Sequence, residues 1–227
     1  MGALKLIIFD VDGTLIDSQA HIVGAMERAF DRAGRTSPAR TEILSIVGLS
    51  LHPAIARLVP GAGAGEVDQI VTYYKDAFQE LRAARGAELA PLYPGARQAL
   101  ADLHAVDDWL LGVATGKSRR GLDAMISLHG LEGRFVTEQV ADHHPSKPHP
   151  AMVAAALAEA GVAPADAVMI GDTTYDIEMA VAAGVPAIGV DWGYHKAEAL
   201  QETGAQTVLS TFDALAPYLH EHWSAAS

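Results

Sequence analysis

The segment KLIIFDVDGTLIDS, residues 5–18, contains the features that decide the fold. Its apolar run ends at Phe9, and Asp10, Asp12 and Gly13 follow directly. A short apolar run bounded by turn residues is typical of a strand buried in a parallel sheet. Because residues i and i+2 of an extended segment point the same way, two carboxylates are expected side by side where this strand ends. Gly13 permits a sharp exit, and a plain polar turn is the alternative interpretation.

Similar apolar runs recur along the chain. The predicted strands are Leu4–Phe9, Trp109–Ala114, Arg134–Val136, Ala167–Ile170 and Pro186–Val190, with Thr207–Leu209 as a weaker edge strand. Helical patterns separate the later runs. This alternation predicts an α/β fold with a doubly wound, Rossmann-like parallel sheet. Ligands of such sheets bind beyond the carboxyl ends of the strands.

The long interval between the first two predicted strands contains helical patterns instead. Apolar residues recur at helical spacing in two stretches: Ile22, Val23, Met26, Ala29, Phe30 and Ala33, then Val67, Ile70, Val71, Tyr74, Phe78 and Leu81. A chain of 227 residues can form one large domain or a core with an insert. We expect a core of residues 1–16 and 91–227 and a helical cap of residues 17–90, placed as a lid over the ligand-binding edge. The segment LAPLYPG, residues 89–95, is expected to lead stiffly back into the core.

The overall composition limits the partners. A formal net charge of −12 repels nucleic acids and anionic membranes, so no partner of either kind is expected. The chain has no cysteine, which excludes disulfides and thiolate chemistry. It has no apolar run typical of a signal peptide or a membrane span, so a soluble cytoplasmic protein is expected, as a monomer or a homodimer.

Other polar residues follow the later strands. Asp172 and Asp176 come after one strand, Thr115 and Gly116 after another, and Lys147 lies in a loop between two prolines. The ends of parallel strands meet at one edge, so the four aspartates Asp10, Asp12, Asp172 and Asp176 can converge there. Such a group of carboxylates predicts Mg²⁺, whose charge would also let a phosphate approach. Helix-end or turn roles are the alternative interpretation for each residue alone.

Two glycine-rich stretches are excluded as nucleotide sites. In LLGVATGKSRRG, residues 110–121, only three residues separate Gly112 from Gly116, one fewer than a P-loop requires. In LVPGAGAGE, residues 58–66, Glu66 stands where a dinucleotide fingerprint has its third glycine. The first stretch therefore needs another explanation for its Thr-Gly pair.

The ordered set D-x-D-G-T, helical insert, Thr-Gly, Lys and G-D-x-x-x-D resembles the haloacid dehalogenase superfamily, in its phosphoglycolate phosphatase-like branch. The resemblance runs from Lys5 to about Leu209. It implies a phosphatase that hydrolyses a small phosphomonoester, with 2-phosphoglycolate as one candidate. The second aspartate of the first motif distinguishes phosphatases of this superfamily from its dehalogenases and phosphonatases.

The resemblance also implies roles for the residues. Asp10 would attack phosphorus and form an aspartyl phosphate, and Asp12 would act as general acid and base. Mg²⁺ would be held by Asp10, the Asp12 carbonyl and Asp172, with Asp176 behind them. Lys147, Thr115 and Gly116 would bind the transferring phosphoryl group. Ser50 and His52, with Arg57 as a weaker candidate, lie in the stretch that resembles the substrate-selecting loop of the cap.

Departures from the family pattern leave alternatives open. Many phosphoglycolate phosphatases have Asn where Gly116 stands, which puts that substrate in doubt. Sugar-phosphate mutases of this branch use a cap histidine, and Ile22 rather than His21 occupies the matching position. A non-enzymatic signalling module with a phosphorylated aspartate and an inactive scaffold are further alternatives.

The remaining basic and imidazole side chains give weaker signals. Lys117, Arg119 and Arg120 either add positive potential at the site or face solvent. His143, His144 and the HEHW stretch at residues 220–223 are expected to be solvent-facing rather than metal ligands.

Overall fold

The structure is a computed structural model that describes residues 3–85 and 90–225. Its centre is a six-stranded sheet in the order β3-β2-β1-β4-β5-β6, with every neighbouring pair parallel. The strands are β1 (Lys5–Phe9), β2 (Trp109–Thr115), β3 (Thr137–Val140), β4 (Ala167–Gly171), β5 (Ala187–Val190) and β6 (Thr207–Leu209). The predicted α/β fold with a doubly wound parallel sheet is confirmed.

Helices cover both faces of this sheet because successive residues of a buried strand point to opposite sides. They are α5 (Ala96–His104), α6 (Arg119–His129), α7 (Ala151–Ala160), α8 (Thr174–Ala182), α9 (Ala197–Thr203) and α10 (Leu215–Ala225). Ile7 and Phe9 pack with α5, α6 and α10, whereas Leu6 and Ile8 pack with α7, α8 and α9. All four side chains are fully buried, and each such burial contributes about 1.5–3 kcal/mol. Two-sided burial explains why β1 has no alternating pattern.

Four helices lie in the chain between β1 and α5: α1 (Gln19–Arg32), α2 (Arg40–Ser45), α3 (Leu51–Leu58) and α4 (Ala64–Arg85). They enclose their own apolar cluster, which includes Met26, Phe30, Ile43, Ile55 and Ile70. The helical stripes predicted in this interval supply much of that cluster. No helix in the described ranges is both long and apolar enough to cross a membrane.

The two connections between this helical segment and the sheet run beside each other. The Asp17 N–H donates to the Pro91 carbonyl at 2.8 Å, and the Tyr93 N–H donates to the Leu15 carbonyl at 3.0 Å. Of the boundaries predicted for the core and cap, the ends at residues 1 and 227 lie outside the described residues, as does Leu89 at the start of the LAPLYPG segment. These backbone bonds fix where the helical segment meets the sheet.

The third strand was predicted wrongly at Arg134–Val136. The observed strand β3 begins at Thr137 and is an edge strand, paired only with β2. Its polar side chains Thr137 and Gln139 are buried because both donate hydrogen bonds to Glu159, at 2.5 and 2.8 Å. An apolar run is therefore a poor guide to this strand, and Val136 is 55% exposed.

Candidate active site

Asp10 and Asp12 lie where β1 ends, as the sequence predicts. The Asp10 N–H donates to the Ile170 carbonyl at 2.9 Å, which fixes the first carboxylate beside the end of β4. Gly13 then turns the chain with φ of +91°. A Cβ atom at this position would lie 2.2 Å from the Asp172 carboxylate, so only glycine fits. The close approach of the Asp172 carboxylate therefore requires glycine at this turn.

Asp172 and Asp176 follow β4 and are held by local hydrogen bonds. Asp172 accepts from the Thr14 hydroxyl at 2.8 Å and from the Tyr194 N–H at 2.9 Å. Asp176 lies in the first turn of α8, where its Oδ2 accepts from the N–H and the hydroxyl of Thr173 at 3.1 and 2.7 Å. This capping box explains the position of Asp176, and it leaves the Asp176 Oδ1 to bind elsewhere.

Lys147 forms ion pairs with both Asp10 and Asp176. Its ammonium lies 2.7 Å from Asp10 Oδ1 and 2.6 Å from Asp176 Oδ1, and its side chain is fully buried. Burial alone would lower the pKa of Lys147, but the charges of Asp10 and Asp176 outweigh it and raise this pKa. Lys147 is therefore a permanent cation inside the site.

The aspartates form a cluster with excess negative charge. Ligand oxygens of Asp10, Asp172 and Asp176 all lie within 4.8 Å of one another. Burial raises the pKa of Asp10 to about 7 and raises that of Asp172 well above its ordinary value, and the neighbouring carboxylates add to both shifts. Three ionised carboxylates and one ammonium carry a net charge of −2, which a divalent cation would neutralise.

The donor atoms also fit such a cation. Asp10 Oδ2 is buried without a hydrogen-bond partner in the part of the chain that the structure describes. A buried carboxylate oxygen left in this way is costly unless something binds it. Both Asp176 oxygens already accept hydrogen bonds from Lys147 and Thr173. Asp10, which keeps this open oxygen, and Asp172, whose donors Thr14 and Tyr194 carry no charge, are therefore better placed than Asp176 to hold Mg²⁺.

The Asp12 side chain has different partners. Its Oδ1 accepts from the Ser18 hydroxyl at 2.5 Å, and the Lys117 ammonium lies 2.8 and 3.0 Å from its two oxygens. Of the two interpretations offered for Lys117, the structure favours the contribution to the site, because this side chain is only 11% exposed. Arg119 instead binds Glu138 at 2.5 Å outside the cavity.

One cavity contains the predicted phosphate-binding pair. Asp10, Asp12, Thr115 and Gly116 line it from the sheet edge. A Cβ atom at Gly116 would lie 2.6 and 2.9 Å from the carbonyl oxygens of Gly48 and Leu49. The loop before α3 therefore packs directly on Gly116, which explains why a larger residue such as Asn is absent here.

Replacing Gly116 with alanine is expected to push this loop away from the sheet. Because real Cβ atoms essentially never approach within 3.0 Å of such atoms, backbone must move. A misplacement near 1 Å can lower turnover by about 100-fold, so we expect a large loss of phosphatase activity with a small change in melting temperature. Gly63→Ala is the matched control, since nothing lies within 4 Å of its added Cβ. Equal activity of both variants would contradict this packing.

The cap residues predicted to select substrate do not line the cavity. His52 is exposed and lies 3.3 Å from Asp68, and Arg57 donates to the Tyr175 hydroxyl at 2.8 Å. The Ser50 N–H donates to the Ser146 hydroxyl at 2.9 Å. Ser50 and His52 are not among the residues that line this cavity, and their role in substrate selection stays a prediction.

Other residues of the helical segment line the cavity instead. They are Ile22, Met26, Ile46, Val47, Gly48, Leu49, Leu51, Ala54, Tyr74, Lys75, Phe78, Gln79 and Arg82. Lys75, Gln79 and Arg82 share one face of α4 by their spacing, a signal that the sequence contains. Ile22 lines the cavity, whereas His21 stacks on Phe78 with ring centres 3.5 Å apart and binds its carbonyl. The absence of His21 from this wall disfavours a mutase.

The remaining histidines do not form a second metal site in the described ranges. His144 binds the Gln139 side chain at 2.8 Å, and His220 packs on Trp109 with ring centres 4.5 Å apart. The only group of three potential metal ligands found among the described residues is Asp10, Asp172 and Asp176.

Comparisons with known proteins agree with this geometry. Residues 7–190 match the model of the haloacid dehalogenase-like hydrolase family. The chain is 34% identical to a probable phosphatase, IndB, of Dickeya dadantii, over 95% of this chain and 93% of that protein. It is 32% identical to the tyrosine-protein kinase PtkA of Mycobacterium tuberculosis, over 93% and 71% of the two chains. It is 28% identical to a phosphoglycolate phosphatase of Yersinia pestis, over 95% and 93%.

Solved structures share the fold. A haloacid dehalogenase-like hydrolase from Streptococcus pneumoniae superposes with a TM-score of 0.82 at 24% identity, covering 96% of this chain and all of that one. The family match extends over most of the chain and includes the strands that carry all four aspartates. The chain therefore belongs to the haloacid dehalogenase-like hydrolase family and is a phosphatase of that family.

Proposed function

We propose that the chain hydrolyses a small soluble phosphomonoester in a Mg²⁺-dependent reaction through a phosphorylated Asp10. The observation that carries the proposal is the buried Asp10 carboxylate, which has one oxygen on Lys147 and the other without a hydrogen-bond partner among the described residues. Such an oxygen can attack phosphorus. The substrate class follows from the family, and 2-phosphoglycolate is the first candidate because phosphatases named for it are among the relatives.

The nucleophile is prepared by its neighbours. Lys147 binds Asp10 Oδ1 and so fixes the carboxylate of a residue that lines the cavity. Attack of one Asp10 carboxylate oxygen on phosphorus displaces the alcohol and forms an aspartyl phosphate, which divides one difficult displacement into two and leaves the other oxygen to the metal. The phosphoryl group remains on Asp10 until water attacks it.

Asp12 supplies the protons for both steps. In the first step its carboxyl group protonates the leaving oxygen, and in the second its carboxylate accepts a proton from the attacking water. Ser18, which donates to Asp12 Oδ1 at 2.5 Å, holds the carboxyl group in place throughout. Both half-reactions therefore depend on the same side chain.

The transferring phosphoryl group meets donors from two elements. The Thr115 hydroxyl and the Gly116 N–H lie at the end of β2, and the Lys147 ammonium adds a positive charge beside Asp10. Asp10, Asp172 and the Asp12 carbonyl would hold Mg²⁺, with Asp176 orienting Lys147 from behind. The bound ion would offset the charge that develops on the phosphoryl oxygens.

The proposed domain division gives the helical segment a role in this reaction. Residues 17–90 would form a cap that closes over a core of residues 1–16 and 91–227 and excludes water. Contacts of the Gly48–Leu49 loop with Gly116 and of Ser50 with Ser146 support this arrangement. Small substrates suit a cavity closed in this way.

Release of inorganic phosphate from an aryl phosphate and from an alkyl phosphate tests the proposal. Wild-type turnover of both is expected to require Mg²⁺ and to stop with chelator. Asp12→Asn is expected to lower alkyl phosphate turnover by about 10²- to 10⁴-fold, because a poor leaving group needs the proton. With the aryl ester the same variant should release one equivalent of phenol in a burst and then stall at the phosphorylated enzyme.

Asp107→Asn is the matched control, since this exposed residue lies before β2, at the opposite end of the sheet. Metal-independent turnover would contradict the proposed cofactor. An Asp12→Asn variant that loses equal activity on both esters without a burst would contradict the role of Asp12. Transfer of phosphate to a second sugar phosphate without release would identify a mutase instead.

A further inference from the structure

The charge of the cavity wall differs from that of the whole protein. The chain has a formal net charge of −12, yet Asp10 and Asp12 are the only carboxylates that line the cavity among residues 3–85 and 90–225. The cationic side chains on the same wall are Lys75, Arg82, Lys117 and Arg120. A positive patch inside an acidic protein attracts an anion more strongly than the net charge suggests.

Apart from Lys117, these cations also lack acidic partners in the part of the chain that the structure describes. No carboxylate within the described ranges forms an ion pair with Arg82 or Arg120, and the latter donates only to the Gln79 amide, at 2.9 Å. Outside the cavity, by contrast, arginines such as Arg32 and Arg35 bind glutamates at 2.7 and 2.5 Å. The cavity arginines are thus available to a ligand.

Lys117 has a position that links the patch to the chemistry. Its ammonium bridges both oxygens of Asp12, and it lies 5.6 Å from the centre of the Phe78 ring on α4. Lys117 thus covers both oxygens of the side chain that is proposed to meet the leaving group. A second anion in the cavity would compete with Asp12 for Lys117.

We infer that the substrate's leaving alcohol carries a second anionic group, a carboxylate or a phosphate, which Lys117, Arg82 and Arg120 bind. Arrival of this group draws Lys117 away from Asp12, so that the Asp12 oxygens are exposed to the leaving alcohol only when the correct substrate is present. The inference rests on the proposed function and makes Lys117 a specificity-determining and positioning residue. An uncharged leaving alcohol leaves the Lys117–Asp12 ion pair closed and reacts slowly.

Three alkyl esters of similar size test this inference. They are 2-phosphoglycolate, which carries a carboxylate, ethylene glycol bisphosphate, which carries a second phosphate, and 2-hydroxyethyl phosphate, which carries neither. Wild-type kcat/KM for at least one anionic ester is expected to exceed that for 2-hydroxyethyl phosphate by about 10- to 100-fold, the contribution of a hydrogen bond to a charged group. The preferred anionic ester identifies the second group.

Lys117→Met and Arg82→Gln separate recognition from chemistry. Each is expected to reduce this preference, the ratio of kcat/KM for the anionic ester to kcat/KM for 2-hydroxyethyl phosphate, about 10-fold or more. Lys196→Met and Arg28→Gln are matched controls on exposed residues outside the cavity. Melting temperatures show whether each variant is folded. If Lys117→Met does not fold, Arg82→Gln still tests the inference.

The outcomes distinguish failure of this inference from failure of the proposed function. Release of phosphate from all three esters without preference overturns the inference but leaves the proposed function intact. An equal loss on all three esters in folded Lys117→Met and Arg82→Gln also overturns it. Absence of release from every ester, aryl phosphate included, overturns the proposed function and this inference with it.

Discussion

Replacing Asp10 with asparagine is expected to lower kcat for phosphate release by on the order of 10⁴-fold or more, because the amide cannot attack phosphorus. The substitution keeps the shape of the side chain and its hydrogen bond with Lys147. Phosphate release with saturating Mg²⁺ measures the loss. Asp107→Asn is again the control, and turnover of Asp10→Asn within tenfold of the wild type would contradict the assignment of the nucleophile.

The same substitution is expected to stabilise the metal-free protein. Burial raises the pKa of Asp10 to about 7 from its ordinary value of 3.8, so the folded state disfavours its ionised form. Ionisation of Asp10 therefore destabilises the folded protein. This destabilisation is absent below about pH 4, grows between about pH 4 and 7, and reaches its full size above pH 7. Thermal unfolding in chelator should therefore show a larger gain for Asp10→Asn at pH 8 than at pH 4. A gain that shrinks as pH rises would contradict the buried, unneutralised cluster.

Replacing Lys147 with methionine is expected to remove activity and to destabilise the fold by about 3–5 kcal/mol. The substitution leaves Asp10 and Asp176 buried without the ammonium that now lies 2.7 and 2.6 Å from them. Chemical denaturation in chelator at pH 8 measures the free energy of unfolding, and Lys196→Met is the control. The destabilisation should diminish at pH 5, where Asp10 is protonated in the folded protein.

Addition of Mg²⁺ separates the structural role of Lys147 from its chemical role. The ion is expected to restore part of the stability of Lys147→Met, since it also neutralises the aspartate cluster, but not its turnover. A loss of unfolding free energy below about 1 kcal/mol would place Lys147 outside the cluster, contrary to the structure.

The convergence of the candidate site residues at one edge of the sheet was predictable from sequence, because it follows from strand direction alone. The ends of β1, β2 and β4 carry Asp10, Thr115 and Asp172, and a parallel sheet brings such positions together. Strand direction does not predict which of these side chains form ion pairs with one another. The sequence placed Lys147 at the same edge, but only the structure shows that it joins Asp10 to Asp176.

The cavity wall of the helical segment was harder to predict, because it depends on how separate helices pack. His52 lies in the stretch that resembles a substrate-selecting loop, yet its side chain faces Asp68. Arg82 and Lys117 are far apart in sequence and share one cavity only through the contact of α4 with the edge of the sheet. The position of β3 was predicted wrongly for a related reason. Its polar side chains donate hydrogen bonds to Glu159 of α7, a helix that follows later in the chain.

Chemical trapping of the phosphorylated enzyme tests the central claim most directly. The enzyme is mixed with aryl phosphate and Mg²⁺ and quenched with borohydride, which reduces an acyl phosphate to an alcohol and so converts the modified aspartate to homoserine. Peptide mass spectrometry then locates the change. If Asp10 is the nucleophile, homoserine is expected at position 10, with more of it in Asp12→Asn than in the wild type. Continued phosphate release with Asp10 unmodified, or with the change at another residue, would contradict this assignment.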